Sequence, residues 1–116
     1  MLKSKVTQVF LLFSMLPDAG GWEELIDGAL CRVEQLLRDD ADADDIRLCW
    51  LAAADAHLQY RRILAANAVQ PGYAGNSGML RDGRAAVDLA VKLRDAYYQE
   101  CAPLLRDDAF AFFHVP

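Results

Sequence analysis

Basic surplus, histidine, cysteine and long apolar runs are all scarce in this chain, and each scarcity removes a class of function. Lysine and arginine number 12 against 17 aspartates and glutamates, for a net charge of -5. Free-standing nucleic-acid binders carry the opposite balance because they neutralise phosphates, so sequence-specific nucleic-acid recognition is not expected. The three cysteines, Cys31, Cys49 and Cys101, are far apart and sit within apolar helical patterns. They read as buried thiols of a reducing compartment rather than as bridges. No pair of cysteines or histidines has ligand spacing, so neither a metal nor any other cofactor is expected.

His57 and His114 are the only histidines, and Ser4, Ser14 and Ser77 the only serines. A hydrolytic triad needs a nucleophile, a base and an orienting group in one cleft, and nothing in the spacing announces one. No catalytic residue is assigned. His57, close to Trp50, reads as a packed or surface histidine. Apolar runs also fall short of the roughly 20 residues that a membrane crossing takes. Val9 to Leu16, behind Lys3 and Lys5, has the outline of a short signal peptide. Leu2, Val6, Val9, Phe13 and Leu16 nevertheless repeat on one face, as in a soluble first helix. A cytoplasmic location is the expectation.

What the chain has in abundance is leucine and alanine at helical spacing, within a 116-residue length that suits one domain. The expected fold is all-α, an irregular bundle of four main helices with a long glycine-rich loop before the last. The first helix covers about Lys3 to Leu16 and is stopped by Pro17, Gly20 and Gly21. The second runs from about Trp22 to Arg38, with Glu23 and Glu24 in its first turn, where carboxylates favour the amide end of the helix dipole. The third, about Asp44 to Asn67, carries apolar residues on two sides and should be the central, buried helix. Cys49, Ala53, Ala56, Tyr60, Ile63 and Leu64 form one stripe; Leu51, Ala54 and Leu58 form the other.

The fourth helix is expected from about Arg84 to Leu105, with a kink or stop at Pro103. Arg94 falls inside its apolar stripe and needs a carboxylate partner; Asp55 of the third helix is the candidate for a buried ion pair. Between the third and fourth helices lies Ala68 to Gly83, a connection long enough to be functional or disordered.

Two local patterns suggest ligand chemistry and then depart from it. Asp40, Asp42 and Asp44 have the alternate spacing of a calcium loop, but Asp45 stands where the turn needs glycine and Leu51 where the bidentate glutamate belongs. A solvated loop whose last aspartates cap the third helix is the better reading. Gly72, Gly75 and Gly78 lack the following lysine and preceding strand of a phosphate cradle.

Two features exceed the needs of a monomeric bundle. Leu11 and Met15 form a second apolar strip on the first helix, which either faces a neighbouring subunit or covers two helices of the same chain. Phe110, Phe112, Phe113 and Val115 follow the last helix and either pack back on the core or lie on another subunit.

The stretches Trp22 to Leu37 (WEELIDGALCRVEQLL), Leu48 to Ala65 (LCWLAAADAHLQYRRILA) and Lys92 to Phe112 (KLRDAYYQECAPLLRDDAFAF) resemble small acidic helical prophage proteins of the head-tail connector type. The apolar opening and the glycine-rich insertion depart from that pattern. The resemblance implies a structural protein that forms a ring with copies of itself, works beside other phage structural proteins and is cytoplasmic or virion-associated. It places subunit contacts on Tyr73 to Arg84, including Met79 and Leu80, and on Phe110 to Val115. The alternative is a small helical binding or regulatory module with a ligand pocket near Trp50, His57 and Arg94.

Overall fold

Eleven consecutive residues from Leu48 to Leu58 would be apolar on every side of a helix but for Asp55 and His57, and such a segment is stable only with neighbours on both flanks. The computed structural model, which describes residues 1–67 and 77–109, supplies those neighbours. Among the described residues four α-helices follow in order: α1 (Lys3–Ser14), α2 (Glu23–Leu36), α3 (Ile46–Asn67) and α4 (Ser77–Cys101). A 3-10 turn at Ala102–Leu104 follows α4. The fold is all-α, and α3 is its central helix, with α1 and α2 packed on it and α4 lying along it.

The core is built from Val6, Val9 and Phe10 of α1, Ile26, Ala29, Val33 and Leu36 of α2, and the alanine-rich middle of α3. Alanines at Ala52, Ala53, Ala54 and Ala56 are fully buried, and their small side chains let the flanking helices approach closely. Asp45 caps α3 as expected: its carboxylate accepts from the Arg47 N–H at 2.9 Å, satisfying one of the amides a helix start leaves open. Pro103 ends α4 as expected, by converting its last turn to the 3-10 geometry. The chain then returns to α2 through an isolated antiparallel bridge between Leu37 and Leu105, with Arg106 N–H donating to Leu36 O at 2.8 Å.

Helices α3 and α4 run antiparallel. At one end Cys101 Sγ donates to Arg47 O at 3.2 Å; at the other, a Cβ built on Gly83 would lie 3.6 Å from Ala65. The fourth helix begins at Ser77, seven residues before the expected Arg84, so residues 77–83 of the expected loop are helical; residues 68–76 lie outside the described residues. Gly78 and Gly83 weighed toward a loop, but an isolated glycine costs a helix only about 1 kcal/mol, and the heptad step from Leu80 to Val87 carries the pattern through them.

Three smaller expectations also change. The first helix stops at Ser14, because Met15 adopts a left-handed conformation with φ 57°. Leu2 precedes that helix and is exposed, while Phe10, outside the expected stripe, is fully buried. Cys31 is exposed, leaving only Cys49 and Cys101 as buried thiols.

Candidate functional site

The expected pairing of Asp55 with Arg94 is replaced by two separate arrangements. Asp55 and Arg94 are both buried, but Asp55 takes its cation from α2: Arg32 Nε donates to Asp55 Oδ2 at 2.7 Å. Arg32 Nη2 lies 2.6 Å from the same oxygen, a charge contact too oblique to count as a second hydrogen bond. Arg94 instead holds the carboxylate of its neighbour Asp95, through Nη2 at 3.1 Å. The charges are buried where the periodicity puts them; partner choice depends on how far each helix is rotated about its axis.

A buried polar contact joins α1 to α3. Ser14 Oγ and His57 Nδ1 are 2.8 Å apart, with the serine 5% and the histidine 7% exposed. Ser14 stands one turn after Phe10 on the inward face of α1, and a polar residue in that register needs a buried partner. That was the one available signal for the pair. Among the described residues no carboxylate is hydrogen-bonded to the ring, and the serine is 5% exposed, so the contact holds the imidazole in place between α1 and α3.

Around this contact lies a continuous aromatic group. Phe13 meets Trp50 at 5.6 Å and Tyr97 at 5.9 Å between ring centroids, and Trp50 stacks on Tyr97 at 5.7 Å. Tyr60 packs edge-on against Phe10 at 6.0 Å and Trp22 at 4.8 Å. The tryptophan expected beside a ligand pocket is therefore part of the packing that joins α1, α3 and α4.

A cavity of about 300 Å³ opens beside His57, and Trp50 is not among its lining residues. Its lining is His57 and Arg61 from α3 with Ala86, Leu89, Ala90 and Leu93 from α4. The geometry follows from side-chain size, because alanines at 86 and 90 are too short to fill the space that His57 and Arg61 leave. Burial, and then the nearby charge of Arg61, push the His57 pKa down to about 4. The imidazole is consequently neutral at ordinary pH. Arg61 sits 5.5 Å from the ring centroid of Tyr60, a cation–π contact.

The expected contact residues are dispersed. Leu11 packs partly against the core, while Met15 is 88% exposed. Arg84 is exposed on α4 and Met79 and Leu80 fall within that helix. Tyr73, Phe110, Phe112 and Phe113 lie outside the described residues. Sequence reasoning missed Leu12, which is 64% exposed beside Met15. Among the described residues there is no cluster of side chains that could hold a metal ion, and no helix long and apolar enough to cross a membrane.

The cysteines differ in chemistry as in position. Burial raises the Cys101 thiol to about 12 against the opposing pull of Arg47, which leaves it protonated and unreactive. No protein family, curated protein or solved structure matches the chain.

Proposed function

We propose that this chain is a self-associating structural or adaptor protein whose copies meet through the outer face of α1. One observation carries the reading: Met15 is doubly out of place in a lone copy. Its backbone is left-handed at φ 57°, which costs a non-glycine residue roughly 1 kcal/mol, and its side chain is 88% exposed. Glycine is the usual residue at such a helix end. Among the described residues neither packing nor conformation explains a methionine there, whereas a partner surface does.

The strip that Met15 ends is also chemically suited to a second copy. Ser4, Gln8, Leu12 and Met15 are all exposed along one side of α1 and all uncharged. Two molecules of net charge -5 repel over most of their surface, and an uncharged strip offers a contact free of that cost. A helix of 12 residues is only about 18 Å long, too short for a standard interface of roughly 1,600 Å². The pairwise contact is therefore weak alone and becomes durable in a closed assembly, the behaviour that the resemblance to connector proteins implies.

Sedimentation velocity over a concentration series tests the proposal. Wild type should show an average mass that rises with concentration, and Met15→Gly, which relieves the backbone while removing the side chain, should remain monomeric with an unchanged or higher melting temperature. A constant monomer mass for wild type, or association undiminished in Met15→Gly, overturns it.

A further inference from the structure

We infer that the cavity between α3 and α4 binds a small aliphatic carboxylate, its anionic end on Arg61 and His57 and its chain along Ala86, Leu89, Ala90 and Leu93. This inference stands apart from the self-association reading and involves a different face of the molecule.

The volume of about 300 Å³ lies at the lower end of ligand sites, which run from roughly 300 to 1,000 Å³ and are mostly apolar with a few placed polar groups. The four α4 residues form an apolar wall, and Leu89 is 66% exposed at its rim. An exposed leucine beside a hollow gains burial when an aliphatic chain fills it. The two polar groups come from one helix, at a spacing of one turn, so both reach the same end of the hollow.

Their chemistry selects an anion. Arg61 makes its cation–π contact with Tyr60 but holds no carboxylate among the described residues, so its guanidinium retains donors for an anion. His57 is 93% enclosed, its Nδ1 is engaged with Ser14 Oγ, and Nε2 has no hydrogen bond among the described residues. When the Ser14 hydroxyl donates to Nδ1, the proton of the neutral ring is on Nε2, where it becomes a donor directed away from α1. In that tautomer a neutral donor and a cation together suit a carboxylate and reject an amine; in the other, Arg61 alone carries the preference for an anion.

Calorimetric titration with octanoate, octanol and octylamine tests the assignment. Octanoate should bind saturably, octanol more weakly and octylamine not at all. Arg61→Gln should weaken octanoate by about tenfold and leave octanol unchanged, as the loss of one charged hydrogen-bond partner implies. Ala86→Leu, which fills the hollow, should abolish both. Amide resonances of residues 86–93 should shift on octanoate addition to wild type, a readout that needs no variant to fold. Absence of saturable octanoate binding, equal affinity for octylamine, an Arg61→Gln affinity like wild type, or shifts confined to other residues overturns the assignment.

Discussion

The two flanks of α3 are packed to different standards. Against α1 and α2, the side chains of Val6, Phe10, Ile26, Ala29, Val33 and Leu36 are completely buried, and the buried carboxylate there, Asp55, is closed by a 2.7 Å hydrogen bond from Arg32. Along α4, burial is complete at Cys101 but gives way to a cavity at Ala86, Leu89, Ala90 and Leu93. Both flanks use the same alanine-rich helix, so the difference arises from what the neighbours bring. Large apolar residues meet alanines on one side; alanines meet His57 and Arg61 on the other. The first side is filled, and the second leaves a hollow.

The largest expected effect is the cost of truncating the tight flank. Phe10→Ala removes a fully buried ring that packs on Tyr60 at 6.0 Å, and should cost about 3–5 kcal/mol by urea denaturation. Leu89→Ala on the other flank, at 66% exposure, should stay within about 0.5 kcal/mol. Equal losses would erase the proposed contrast.

Next is a pH effect confined to the junction of the two flanks. The His57 pKa falls from 6.5 to about 4, first through burial and then through Arg61. The unfolded chain thus binds a proton near pH 6.5 that the folded chain refuses until about pH 4. The sign follows: the contribution is fully present above pH 6.5 and is lost as pH falls toward 4, about 3 kcal/mol at 1.36 kcal/mol per unit. Carboxylates titrate in the same range, so the measurement is the difference between wild type and His57→Phe, whose stability should decline less steeply between pH 6.5 and pH 4.

The architecture is legible in the sequence because it rests on local rules. Periodicity located all four helices, the aspartate at 45 located the start of α3, and Pro103 located the end of α4. Those signals lie within a turn or two of chain. The site was less legible because it depends on the relative rotation of helices distant in sequence. Asp55 and Arg94 were both recognisable as inward charges, yet Arg32 rather than Arg94 faces Asp55. Ser14 and His57 are 43 positions apart, and only the misplaced polarity on α1 hinted at their meeting. The cavity had no sequence signal, since it is defined by missing side-chain volume.

A third prediction sharpens the contrast within the tight flank. The two members of the Arg32–Asp55 pair are unequally exposed, with side chains 34% and 2% accessible. Asp55→Ala leaves a guanidinium that can turn toward water, and should cost about 1 kcal/mol. Arg32→Met leaves a carboxylate sealed among alanines, and should cost about 3 kcal/mol, as an orphaned buried charge does. The order of the two losses is the test. The reverse order, measured by thermal or urea unfolding, would mean that the carboxylate reaches solvent by another route.

The smallest expected effect is a gain, and it belongs to the loosely packed flank. Gly83 lies inside α4, where a glycine costs roughly 0.5–1 kcal/mol relative to alanine because of the freedom it loses on folding. The Cβ of an alanine there would be 3.6 Å from Ala65, ordinary contact rather than a clash. Gly83→Ala should therefore raise stability by roughly 0.5 kcal/mol or slightly more, read as a shift in urea midpoint without a change in slope. The glycine thus earns nothing sterically, in contrast to Gly21, whose φ of 87° would strain any side chain. If Gly83→Ala is destabilising instead, α3 and α4 approach more tightly at that end than 3.6 Å allows, and the looseness of the flank is local to the cavity.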